Sequence, residues 1–76
     1  MEIKKSIDLR GVCCPINFVK AKLALEEVGK GEILEIVLDE GEPILNVPRS
    51  LKEEGHVVKK VFQEDRYFRV CVEKGE

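Results

Sequence analysis

Residues 10–17, Arg-Gly-Val-Cys-Cys-Pro-Ile-Asn, join an extended segment to a helical one and constrain the fold more than any other stretch. Gly11 allows the positive φ that a tight strand-to-helix turn requires, because glycine has no Cβ. Pro15 suits the first helical position, where its missing N–H would have no acceptor. This assignment makes Cys14 the N-cap of the helix, beside N–H groups that favour negative charge. A thiol placed there is predicted to be a nucleophile.

The alternative for Cys14 is a loop cysteine that happens to precede a proline, since free cysteines often behave as small buried hydrophobic residues. Three signals, the glycine, the proline and the helical pattern that follows, favour the functional interpretation. Cys13 is a possible second thiol, without the same positional support.

The length of 76 residues predicts a single domain, residues 1–76, with a small core. Hydrophobic residues at 43% and charged residues at 37% are typical of a globular chain. The net charge of −2 argues against direct nucleic-acid binding. We find no membrane-spanning run and no signal peptide, so we expect a cytoplasmic protein. Three cysteines, two of them adjacent, argue against a disulfide scaffold.

Hydrophobic periodicity predicts the element order β-α-β-α-β-β. The predicted strands cover residues 3–9, 32–38, 56–62 and 67–73, and the first helix covers residues 15–28. Asn46 is predicted to cap the second helix, with Pro48 in its first turn and Gly55 at its end. The simplest arrangement is an α+β two-layer sandwich, with two helices on one face of a four-stranded mixed sheet.

The first helix carries two apolar faces. The face predicted to pack on the core contains Phe18, Ala21, Ala24, Leu25 and Val28, and Gly29 is predicted to stop the helix. A second apolar stripe, Ile16, Val19 and Leu23, lies roughly opposite. Single exposed hydrophobic residues are common, but a cluster beside Cys14 is equally consistent with a docking surface.

The pattern Leu-x-Gly-x-x-Cys-Pro at residues 9–15 resembles the sulfur-carrier family of the tRNA 2-thiouridine sulfurtransferase and SirA type. The resemblance continues through Gly31-Glu32, which opens the second strand, and Asp39 at its end. Further matches are Asn46-Val47-Pro48, opening the second helix, and Gly55-His56, opening the next strand. The family motif is Cys-Pro-x-Pro, whereas this chain has Asn17 at the last position.

The resemblance implies a carrier that holds sulfur as a persulfide on Cys14, supported by Gly11, Pro15, Ile16 and Asn17. It implies a sulfur-donor protein, such as a cysteine desulfurase or a rhodanese-like protein, and a sulfur-acceptor protein in tRNA thiolation or another sulfur pathway. It implies no cofactor and a monomer. The chain would then have sulfurtransferase character without a pocket for a small substrate.

Other interpretations of the reactive residues remain open. Cys13, Cys14, His56 and Cys71 suggest zinc, but adjacent cysteines reach one tetrahedral ion poorly, so we expect no metal. His56 could act as a base for Cys14, but no third residue is seen to orient it. Arg10 and Lys20 could stabilise an anionic sulfur or be ordinary solvated charges. The alternative functions are a regulatory or adaptor module, and a thiol redox sensor that uses Cys13 and Cys14.

Overall fold

The computed structural model describes residues 2–75. The elements are β1 (Ile3–Asp8), α1 (Ile16–Leu25), β2 (Ile33–Asp39), α2 (Glu42–Glu53), β3 (Val57–Gln63) and β4 (Tyr67–Glu73). Their order is the predicted one, and each strand lies within one residue of its predicted bounds. The α+β fold and its four-stranded mixed sheet are therefore confirmed.

The strand order in the sheet is β1-β2-β4-β3. β1 pairs with β2 in parallel, and β4 runs antiparallel to both of its neighbours. It follows that β1, β2 and β3 point in the same direction and end at one edge of the sheet. The loop after β1 and the turn after β2 therefore lie side by side, and these two segments carry the cysteine pair and the start of α2.

The core lies between the helices and one face of the sheet. Register places Leu34 opposite Val72 and Ile36 opposite Val70, and all four side chains are fully buried. The helices cover this layer with Ala21, Ala24, Leu25, Val47 and Leu51, and partly buried Phe18 and Phe68 pack against it. The predicted inward face of the first helix is confirmed. Glu35, Arg69 and Cys71 occupy the other face of the sheet.

Two predictions for the first helix are wrong. Pro15, with φ −94° and ψ 7°, lies outside the helical range and is itself the N-cap, so α1 begins at Ile16 and Cys14 is not the cap. The helix also ends at Leu25, before Val28 and Gly29. The N–H groups of Glu27 and Val28 bond to carbonyls three residues earlier, which tightens the chain into a turn.

The predicted start of the second helix is also wrong. α2 begins at Glu42, with Gly41 as the N-cap at φ 91°, so Asn46 lies inside the helix. Pro43 in the first turn removes no hydrogen bond, and the Glu42 carboxylate interacts favourably with the helix dipole. Pro48 lies in the helix interior and lacks the N–H that would bond to the carbonyl four residues earlier.

Packing explains how α2 continues past that proline. Val47 and Leu51, one turn apart, are almost completely buried, and their contacts hold both sides of Pro48 on the sheet. Gly55, with φ 99°, follows the end of α2, as predicted. Within residues 2–75 neither helix is long and apolar enough to cross a membrane.

Candidate functional site

The cysteine loop (residues 9–15) is attached to the end of the sheet by two hydrogen bonds that its backbone N–H groups donate, one to a backbone carbonyl and one to a carboxylate. The Leu9 N–H donates to the Val37 carbonyl at 2.9 Å. The Gly11 N–H donates to Asp39 Oδ2 at 2.6 Å, so the last residue of β2 holds the turn. Gly11 has φ 81°, which confirms the prediction that this position requires glycine. The role of Asp39 as the acceptor was not predicted.

Arg10 does not face the cysteines as a free cation. Its guanidinium bonds to the Asp8 carboxylate at 2.8 Å and lies 4.6 Å from the centre of the Tyr67 ring. These hydrogen bonds hold the pKa of Asp8 below its ordinary value and raise the pKa of Arg10. The structure therefore favours the interpretation of Arg10 as part of the scaffold of the loop.

Both residues of the cysteine pair, Cys13 and Cys14, are exposed free thiols. The peptide bond between Cys14 and Pro15 is cis. Because Cys14 is exposed, the interpretation of this residue as a small buried hydrophobe does not apply. A sulfur in this position can be reached by a second protein without any rearrangement of the core.

The first turn of α1 keeps few N–H groups available for an anionic sulfur. The Asn17 N–H donates to the Cys13 carbonyl at 3.1 Å, and the Phe18 N–H donates to Asn17 Oδ1 at 2.7 Å. Within residues 2–75 the Ile16 N–H makes no hydrogen bond. This is the amide of the first turn that remains for a nearby anion.

Asn17 is completely buried at the start of the inner face of α1. The Phe18 N–H identifies the atom beside it as Oδ1, so Nδ2 points elsewhere. Nδ2 is buried and has no acceptor within the described residues. A buried donor without a partner costs roughly 1–3 kcal/mol. Sequence reasoning placed Asn17 at the helix N-terminus but did not predict its burial.

An acidic cleft lies between the cysteine loop and the start of α2. Its volume is about 440 Å³, and its lining consists of Gly11, Val12, Cys13, Cys14, Asp39, Glu40, Glu42 and Pro43. Three of these residues are carboxylates, and none is a lysine or arginine. The cleft was not predicted, because it depends on the parallel pairing of β1 with β2.

The outer stripe of α1, Ile16, Val19 and Leu23, begins two residues after Cys14. The exposed fractions of these side chains are 51%, 45% and 56%. Lys20 is also exposed on this side of the helix. The stripe is therefore surface, as its spacing opposite the core face predicts.

The remaining candidates lie away from the cysteine loop. Cys71 is only 2% exposed on the open face of the sheet, and burial, together with the charge of Glu35, raises its pKa. His56 precedes β3 at the opposite end of the sheet, where its Nδ1 accepts the Gly75 N–H at 3.1 Å. The structure thus does not bring His56 to Cys14. Residues 2–75 contain no group of three His, Cys, Asp or Glu side chains placed to hold a metal ion.

Residues 5–74 match the family model described as Sulfurtransferase TusA. The chain belongs to the TusA family. The resemblance identified from the cysteine loop and the later motifs is thereby confirmed.

Three relatives of this TusA-family chain share the description "Putative sulfur carrier protein". One from Archaeoglobus fulgidus is 43% identical over 61 residues, which cover 80% of this chain and 69% of the relative. One from Methanocaldococcus jannaschii is 34% identical over 70 residues, which cover 92% and 93%. The Escherichia coli protein YedF is 32% identical over 68 residues, which cover 90% and 88%.

Two solved structures share the fold. The SirA-like protein from Desulfitobacterium hafniense aligns with a TM-score of 0.77 at 26% identity, over 95% of this chain and 99% of that one. A protein from Helicobacter pylori, solved in solution, aligns with a TM-score of 0.76 at 20% identity over 93% and 97%, a likeness of fold alone. The family and its relatives support a sulfur-carrier role.

Proposed function

We propose that this TusA-family chain relays sulfur as a persulfide on Cys14. It takes the sulfur from a donor protein, such as a cysteine desulfurase or a rhodanese-like protein, and passes it to an acceptor protein in tRNA thiolation or another sulfur pathway. The observation that carries the proposal is the exposed free thiol of Cys14 on a loop held to the sheet. The sulfur-carrier role of the family supplies the cargo.

The chemistry requires two successive attacks on sulfur. The Cys14 thiolate attacks the outer sulfur of the donor persulfide, and the S–S bond of the donor breaks. The donor thiolate leaves with the electron pair, and Cys14 keeps the transferred sulfur. An acceptor thiolate then attacks the outer sulfur on Cys14, and the Cys14 thiolate leaves in its turn.

The loop supports this chemistry through positioning. The hydrogen bond from Gly11 to Asp39 keeps the loop against β2, and the Ile16 N–H is available to an anionic sulfur on the neighbouring residues. The outer stripe offers an apolar contact to a partner protein. Such a contact would also keep water away from the two sulfurs during the exchange.

The test is sulfur loading with a cysteine desulfurase and cysteine, followed by mass spectrometry of the intact protein and its peptides. We expect the wild type to gain one sulfur atom on Cys14. Cys14→Ser should gain none, and Cys71→Ala, which leaves the loop untouched, should load like the wild type. If Cys14→Ser loads as well as the wild type, the sulfur is carried elsewhere.

A thiol redox sensor is the second candidate, because two adjacent exposed thiols line one cleft. Peroxide would oxidise Cys14 to a sulfenic acid, and the Cys13 thiol would then displace water to form a disulfide. Mild peroxide treatment of the wild type, with Cys13→Ser as the control, tests this function. A disulfide between Cys13 and Cys14 that forms without persulfide loading would favour the sensor over the carrier.

A further inference from the structure

The surface around Cys14 is divided into two parts of different chemistry. On one side lies the outer stripe, which is apolar and carries Lys20. On the other side lies the acidic cleft, to which Asp39, Glu40 and Glu42 contribute three carboxylates. Cys14 itself lines that cleft. A protein that docks over this sulfur can therefore contact both parts.

The carboxylates of the cleft, those of Asp39, Glu40 and Glu42, form no ion pair within residues 2–75. Asp39 accepts the Gly11 N–H, and the other two have no such bond. Arg10 interacts electrostatically with Asp39, but its guanidinium is already paired with Asp8 and lies over Tyr67. The cleft therefore presents negative charge to an approaching molecule.

The sign of this charge limits what can dock beside Cys14. Phosphate groups of a nucleic acid would be repelled at the cleft. A protein segment with exposed lysine or arginine side chains would be attracted, and the attraction would both speed the encounter and orient it. The sulfur is anionic when it attacks, so a neighbouring cation on the partner also offsets the charge that accumulates in the cleft.

We propose that the protein that exchanges sulfur with Cys14 carries lysine or arginine side chains next to its own reacting sulfur, on the side that faces Glu40 and Glu42. This proposal rests on the proposed function and names the chemistry of the partner. The outer stripe supplies apolar contact, and the acidic cleft selects the partner by charge. The asymmetry between the two sides also sets the orientation in which the two sulfurs meet.

The test uses three short peptides that differ only in the residues flanking a single cysteine. These residues are lysine, glutamine or glutamate, and each cysteine is blocked as a mixed disulfide with thionitrobenzoate. Cys14 attacks the peptide sulfur and forms a disulfide with the peptide. The coloured thionitrobenzoate leaves with the electron pair, and the Cys14 proton goes to the buffer. The full chain with Cys13→Ser is the reactant, and a chain that also carries Cys14→Ser is the blank.

We expect the lysine peptide to react about tenfold faster than the glutamate peptide at low ionic strength, with the glutamine peptide between them. In about 0.5 M NaCl the ratio should fall towards one, because exposed charges are then screened within a few ångströms. Similar rates for all three peptides at low salt would overturn the proposal. Reaction with none of them would instead contradict the reactive Cys14 on which the proposed function depends.

Two double variants distinguish the effect of the charges in the cleft from the effect of the net charge of the protein. Glu40→Gln with Glu42→Gln removes two carboxylates from the cleft and should reduce the lysine-to-glutamate ratio severalfold. Glu26→Gln with Glu53→Gln removes the same charge from exposed positions outside the cleft and should leave the ratio as it is. An equal reduction in both double variants would show that net charge, and not the cleft, selects the peptide.

Discussion

Cys14 and Cys71 are the same side chain in opposite surroundings. Cys14 lies in a loop at the edge of the sheet and is exposed, whereas Cys71 lies in the middle of β4 and is 2% exposed. Burial raises the pKa of the Cys71 thiol. The charge of Glu35, which pairs with Cys71 from the neighbouring strand β2, adds to this effect. The comparison shows that the two thiols differ in access, and that a second protein can reach the sulfur of Cys14 but not that of Cys71 without a rearrangement of the sheet.

On the face of the sheet that no helix covers, side chains of the strands themselves surround Cys71. Arg69 bonds to Glu64 at 2.9 Å and to Glu35 at 3.3 Å, and its guanidinium lies 5.0 Å from the centre of the Phe62 ring. The hydrogen bond to Glu64 raises the pKa of Arg69, which remains a cation. These side chains cover a surface that no helix covers. The cysteine loop has no comparable cover.

The largest expected difference between the two thiols is their rate of alkylation. With iodoacetamide near neutral pH, we expect Cys14 to react on the order of 100-fold faster than Cys71, because Cys71 must wait for the sheet to open. Timed quenching and peptide mapping measure both rates, and Cys13 in the same digest shows whether Cys14 exceeds its exposed neighbour. In denaturant the difference should vanish. Equal labelling of Cys71 in the native protein would contradict the comparison.

Serine substitutions at Cys14 and Cys71 should change the free energy of unfolding by different amounts. Cys71→Ser places a hydroxyl in a buried position and should lower the free energy of unfolding by about 1–3 kcal/mol. Cys14→Ser should change it by less than about 0.5 kcal/mol, as exposed substitutions usually do. Urea denaturation followed by circular dichroism measures both. A cost at Cys14 as large as that at Cys71 would mean that the cysteine loop is part of the stabilising core.

Charged substitutions in the outer stripe test whether the exposed thiol is surrounded by a docking surface. Val19→Glu and Leu23→Glu should change stability by less than about 1 kcal/mol. We expect donor-dependent loading to fall roughly tenfold, since a buried interface charge weakens a transient contact, and alkylation of Cys14 to be unchanged.

Val57→Glu is the matched control, because Val57 is exposed to a similar extent, 47%, at the opposite end of the sheet. It should load like the wild type. Strong destabilisation by Val19→Glu would place the stripe in the core, and unchanged loading would place the donor on another surface.

The smallest effect concerns the pH dependence of stability. The folded state holds the Cys71 proton to a higher pH than the unfolded state, in which the thiol has its ordinary pKa of 9.0. Above that pH the unfolded state binds fewer protons, so this group lowers stability as pH rises, by at most about 1.4 kcal/mol per pH unit. Cys71→Ala removes the effect. The difference in the free energy of unfolding between the two proteins should be constant up to about neutral pH and change only in the alkaline range, and parallel pH profiles throughout would contradict the assignment.

Most of the fold follows from local pattern. The alternation of Leu34, Ile36 and Leu38 predicts a strand with one buried face, and the spacing of Ala21, Ala24 and Leu25 predicts the inner face of α1. Both patterns arise from the periods of the strand and helix backbones, so they can be recognised in the sequence without any tertiary contact. The family motif at residues 9–15 is equally local.

The helix starts show where local pattern fails. Asn46 is a good N-cap by residue type, but α2 begins at Glu42, because Gly41 takes a positive φ and burial of Val47 and Leu51 carries the helix through Pro48. Pro15 is a good first helical residue, but its dihedral angles make it the N-cap. Residue preferences for helix ends are worth about 1 kcal/mol, and core packing exceeds this amount.

The sequence alone determined the order of the elements, the buried faces, the free thiols and the family. These properties depend on backbone periodicity and on residues adjacent in the chain. Only the tertiary structure decided that Asp39 holds the cysteine loop, that Arg10 lies over Tyr67, and that Glu40 and Glu42 line the same cleft as Cys14. The first and third of these depend on the parallel pairing of β1 with β2, which brings together segments about 30 residues apart, and the second depends on β4, which places Tyr67 opposite Asp39. The pattern of residues along the sequence does not show which distant segments lie next to each other in the fold.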